Sequence, residues 1–63
     1  MTFYDYQKSK KIEAEAYPFY AIIMAAMRQA DSTNLAELKR AFPDIFDELQ
    51  ERYNAPGGVI EGD

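Results

Sequence analysis

The 63-residue chain has no cysteine, no histidine, only three glycines and only two serines, Ser9 and Ser32. Without Cys or His there can be no disulfide, no zinc finger and no thiolate or imidazole cluster, so only carboxylates remain as metal ligands. Neither serine lies in a nucleophile elbow, and no imidazole is present to act as its base. Two of the three glycines, Gly57 and Gly58, stand side by side close to the last residues, and no phosphate-binding loop can be assembled from the set. These gaps predict a protein that is not an enzyme and carries no cofactor and no metal. Long apolar runs are missing too. The longest, Ala16 to Met27, includes Pro18 and falls short of the ~18 residues a membrane span requires. Phe3-Tyr4-Asp5 does not read as a secretion signal, so the expected location is the cytoplasm.

What the chain does contain is core-forming material: 48% of its residues are apolar, and its nine aromatics are five Tyr and four Phe. That is too much for a disordered chain. A domain of this length, however, hides only about 60% of the surface its unfolded chain exposes. With neither disulfide nor metal to help, the remaining support is a partner subunit, and a homo-oligomer is expected.

Spacing identifies helices. Thr2 and Asp5 form a capping-box pair that starts a helix near Phe3. Ile12, Ala16, Phe19, Ile23, Ala26 and Ala30 advance in steps of four and three along one stripe, and Tyr17, Tyr20, Met24 and Met27 run beside it. Pro18 removes a donor to the carbonyl of Ala14, which demands a kink or a short break. Asp31-Ser32-Thr33-Asn34 is a cluster of turn and cap residues, with Asn34 and Glu37 as a candidate cap. Leu35, Leu38, Phe42, Ile45 and Leu49 then repeat at helical spacing, widened by Phe46 and Tyr53. Pro43 falls inside this pattern and is read as a second kink, or as the first residue of a new helix. Asn54 to Gly58 ends the last helix.

The predicted fold is all-α: a bent helical hairpin of two Pro-kinked arms, or three to four short helices, assembling as an oligomeric bundle. Residues 1–55 form the helical domain and residues 56–63 a flexible acidic tail. The two kinks lie at similar heights, about 5 Å apart along antiparallel arms. Ala21, Ala25 and Ala26 would let another backbone approach closely there.

Net charge is −4 and unevenly spread. Residues 1–11 carry Lys8, Lys10 and Lys11 against Asp5, or +2. Residues 12–30 carry Arg28 against Glu13 and Glu15, or −1. Residues 31–63 hold eight acids against Lys39, Arg40 and Arg52, or −5. Such a chain repels nucleic acid except through its short basic segment.

Three sets of residues are candidate sites. Phe19, Ile23, Met27, Leu38, Phe42, Ile45 and Leu49 form the core or subunit interface. Asp44, Asp47, Glu48 and Glu51, at i, i+3, i+4 and i+7, make one acidic ridge. That ridge is a solvated helix face, or a surface that imitates DNA phosphates or docks a basic partner; four carboxylates on one helix cannot surround a metal ion. Tyr4 and Tyr6 with Lys8, Lys10 and Lys11 pair aromatics with positive charge. They either form a soluble rim or bind a nucleotide-like anion.

The run from Tyr17 through Ala30, with Asn34-Leu35, Phe42-Pro43 and Arg52-Tyr53-Asn54-Ala55-Pro56-Gly57-Gly58, resembles small uncharacterised helical proteins of bacteriophages and prophages. The likeness spans residues 4–58 and rests on packing and capping signals. It implies a compact accessory factor that binds and blocks a host protein in the host cytoplasm, or sequesters a small signal. The leading expectation is therefore a protein-interaction module, with an anion-sequestering oligomer and a nucleic-acid-binding accessory protein as alternatives.

Overall fold

A computed structural model describes all residues, 1–63, and contains four α-helices and no strand: α1 (Phe3–Ala14), α2 (Phe19–Gln29), α3 (Ser32–Ala41) and α4 (Pro43–Asn54). No helix is long and apolar enough to cross a membrane.

Local chemistry explains each boundary. At the start of α1 the Asp5 N–H donates to Thr2 Oγ1 and the Thr2 N–H donates to the Asp5 carboxylate, both at 3.1 Å. This reciprocal box satisfies two backbone donors that a helix start leaves unpaired. The helix ends as the N–H groups of Glu15 and Ala16 donate to the carbonyls of Ile12 and Glu13. Ala16 then adopts φ 56°, a left-handed conformation that usually belongs to glycine. Pro18 is extended and precedes α2, so the chain breaks here instead of kinking.

The second proline breaks the chain as well. Pro43 can neither donate to the carbonyl of Lys39 nor pack its ring against it, and it holds Phe42 out of the helical region at φ −133°, ψ 63°. Phe42 consequently closes one helix and opens the next: its N–H donates to Leu38 O at 2.8 Å, and its carbonyl accepts from Phe46 N–H at 3.0 Å. Four short helices thus replace the kinked arms.

Between α2 and α3 the turn is tighter than expected. Ala30 and Asp31 are extended, and the Asp31 carboxylate accepts from the Asn34 N–H at 2.8 Å. The cap of α3 is therefore Asp31, not Asn34, because it reaches the backbone donor three residues ahead as soon as the chain reverses.

Packing is concentrated in the last three helices. α4 lies against α2 and α3, which also touch each other, while no α1 residue has its Cα within 8 Å of α2, α3 or α4. Helix α1 projects as an arm, and the molecule measures 41 × 26 × 17 Å. Its radius of gyration is 13.4 Å, where a compact chain of this length would have about 11 Å.

Candidate functional site

The apolar residues divide into a small inner cluster and a larger outer surface. Met27, at 3% exposure, is the one buried residue of the 63. Ile23, one helical turn earlier, is half-buried, as are Leu38, Phe42, Ile45 and Leu49 in the part of the chain where α3 and α4 lie against α2. Phe19 remains 58% exposed although its ring meets Phe42 edge to face, with centroids 6.1 Å apart. Of the seven residues expected at a core or interface, Met27 is thus buried, five are half-buried, and Phe19 is exposed with its ring against Phe42.

Outside this cluster lies a groove of about 440 Å³, lined by Ile12 of α1, Tyr17 of the link, and Ala21, Ile22, Ala25, Ala26 and Gln29 of α2. Gln29 and the Tyr17 hydroxyl are the polar side-chain groups among them. Side chains repeat every 3.6 residues around a helix, so Ile22, Ala25 and Gln29 share the face of α2 opposite Met27. The link geometry sets the other wall. With Ala16 left-handed, Ile12 and Tyr17 come to the same groove, the hydrophobic pairing that commonly accompanies such a helix end. Ile12 is 47% and Tyr17 56% exposed. Sequence spacing assigned Ile12 and Tyr17 to two adjacent stripes of one element. The break at residues 15–18 takes them off the inner face and turns them outward.

Asp44, Asp47, Glu48 and Glu51 of the acidic ridge are all exposed on α4. Glu48 accepts a 3.4 Å hydrogen bond from Arg52 Nε, which leaves Asp44, Asp47 and Glu51 as its free charges. Nowhere do three or more carboxylates gather as a metal site.

On α1 the aromatic and basic residues are divided. The Lys8 ammonium lies 5.3 Å from the Tyr4 ring centroid and the Lys10 ammonium 4.9 Å from that of Tyr6. At about 100° per residue, Tyr4, Lys8 and Lys11 share one face, while Tyr6 and Lys10 lie on the far side. Phe3 stacks beside Tyr6 at 6.3 Å. The set offers two separate cation–ring pairs in place of one anion pocket.

The segment after α4 turns back on it. Pro56–Gly58 form one 3-10 turn, with Gly57 and Gly58 at positive φ. Arg52 Nη1 donates to the Gly58 carbonyl at 2.9 Å and to Asp63 Oδ2 at 2.8 Å, and Nη2 donates to Asp63 Oδ1 at 2.7 Å. This two-pronged contact, helped by the Ile60 N–H, holds the Asp63 carboxyl well below the ordinary carboxylate range. Residues 56–63, expected as a flexible or loosely docked acidic tail, return to α4 at Arg52 through Gly58 and Asp63.

Comparison with protein-family models, with curated proteins and with solved structures finds no match for this chain.

Proposed function

We propose that this chain is a non-enzymatic protein-interaction module that works as a self-associated assembly in the cytoplasm. One observation carries the reading: a single copy buries Met27 alone, although nearly half of its residues are apolar. Ile12 and Tyr17 bring part of this exposed apolar surface into one groove, and exposed apolar surface that is not scattered singly is characteristic of contact faces.

The partner-facing side is the acidic ridge of α4, whose Asp44, Asp47 and Glu51 are exposed and free of intramolecular ion pairs. It suits a basic protein surface, to which charge complementarity gives speed and selectivity of association. The most concrete form is an inhibitor or regulator of a host protein, the role implied by the likeness to small phage proteins. An anion-sequestering role gains no support from α1, because its two lysine–tyrosine pairs face apart.

Affinity capture with the intact chain as bait tests this reading. Asp47→Lys combined with Glu51→Lys should leave the helical circular dichroism intact and abolish capture of the protein partner. Capture unchanged by that double reversal would assign the ridge to solubility alone.

A further inference from the structure

We propose that the α1–α2 groove is the contact surface of a symmetric dimer, filled by the outer face of α2 from a second copy of this chain. The inference rests on the self-association reading and adds the surface that mediates it.

Area argues for a partner of this size. One copy exposes 5462 Å², whereas a compact monomer of 7.2 kDa exposes about 4,100 Å². The excess, about 1,300 Å² over the whole molecule, exceeds the roughly 800 Å² that each partner contributes to a standard stable interface, and the groove supplies only part of it. In the single copy the groove walls Ile12 and Tyr17 remain open to solvent.

Charge permits a second copy and favours one orientation. Two chains of net charge −4 repel, but the repulsion is not uniform. Residues 1–30 sum to +1, from +2 and −1, while residues 31–63 sum to −5. Contact through α1 and α2 therefore joins the nearly neutral halves and keeps the acidic α3–α4 halves outermost. The groove itself has no charged lining residue that would have to give up its water.

Shape completes the case. Ala21 and Ala25 stand one turn apart on the groove floor, so a facing helix can approach at the short end of the usual 8–10 Å axis separation. The outer face of α2 offers the same alanines in return, as an isologous contact requires. With the two-fold axis crossing the middle of α2, Ala25 lies near its own symmetry mate.

Light scattering on the intact chain tests the proposal, with a mass of twice 7.2 kDa expected. Ala25→Glu should halve that mass while keeping the helical circular dichroism. Ala25 is already exposed in one copy, so the carboxylate meets water in the monomer and an apolar wall only in the dimer. In a chain without other thiols, Ala25→Cys should form an interchain disulfide under mild oxidation, and Asp44→Cys on the acidic ridge should not. A wild-type mass of one copy at micromolar concentration overturns both the dimer and the self-association reading. A larger assembly, or a dimer that survives Ala25→Glu, overturns this surface and leaves self-association standing.

Discussion

Phe19 and Phe42 meet edge to face, their ring planes at 64°, and each adjoins one of the two prolines that divide the chain into short helices, Pro18 and Pro43. The breaks in two different parts of the sequence are thereby joined in space. Each proline frees its neighbour from a continuous helix, and the freed aromatic side chains pack on one another. An edge-to-face pair is worth about 0.5–1.5 kcal/mol beyond the area it buries. A double-mutant cycle of Phe19→Ala and Phe42→Ala, read by urea denaturation, should return a coupling of about that size. Additive losses would show that the rings act independently and that the breaks are not tied together.

Much of this arrangement is legible in the sequence. Thr2 and Asp5 announce α1, the two prolines mark the breaks, and the spacing of Ile23, Met27, Leu38, Ile45 and Leu49 picks out residues that are buried or half-buried. Two features are not. Helical periodicity ran through Pro18 because Ile12, Ala16 and Phe19 happen to keep register. Only the left-handed backbone of Ala16, which no residue preference announces, turns Ile12 and Tyr17 away from the core. The pairing of Arg52 with Asp63 is the second. It joins residues eleven positions apart across a glycine turn, where neither helical nor strand spacing applies. The exposure of Asp44, Asp47, Glu48 and Glu51 was legible because their spacing depends on a single helix.

The two side-chain caps differ in what they hold, and that difference is measurable. Removing either Thr2 or Asp31 by substitution with Ala costs its helix about 1 kcal/mol. Helix α3 packs on α4 and α2, so Asp31→Ala should lower the melting temperature of the whole domain by roughly 4–8 °C. Helix α1 packs on neither. At dilutions where copies stand apart, Thr2→Ala should reduce helical circular dichroism while leaving the main melting transition in place. Equal shifts from both variants would show that α1 is coupled to the rest within one copy.

The Arg52–Asp63 pair makes a pH-dependent clasp whose sign is fixed by its chemistry. Hydrogen bonds from Arg52, and then from the Ile60 N–H, favour the ionised carboxylate and hold Asp63 below its ordinary pKa of 3.8. A carboxyl group depressed in the folded state stabilises the fold fully above its unfolded pKa. That contribution fades as the pH falls from 3.8 through the lower folded value. The clasp should therefore be closed at neutral pH and open in strong acid. Both partners keep about a third of their side-chain surface in water, 31% for Arg52 and 40% for Asp63, so salt should weaken it. Carboxyl carbon chemical shifts followed by NMR should show Asp63 titrating below 3.8. Arg52→Lys should move that titration upward, because an ammonium cannot supply the paired donors of a guanidinium. Exchange of the Ile60 amide should quicken in the same variant, as the carboxylate that accepts its hydrogen bond swings away. Titration of Asp63 at 3.8 in the unaltered chain, with a rapidly exchanging Ile60 amide, would show that the segment after α4 is not clasped in solution.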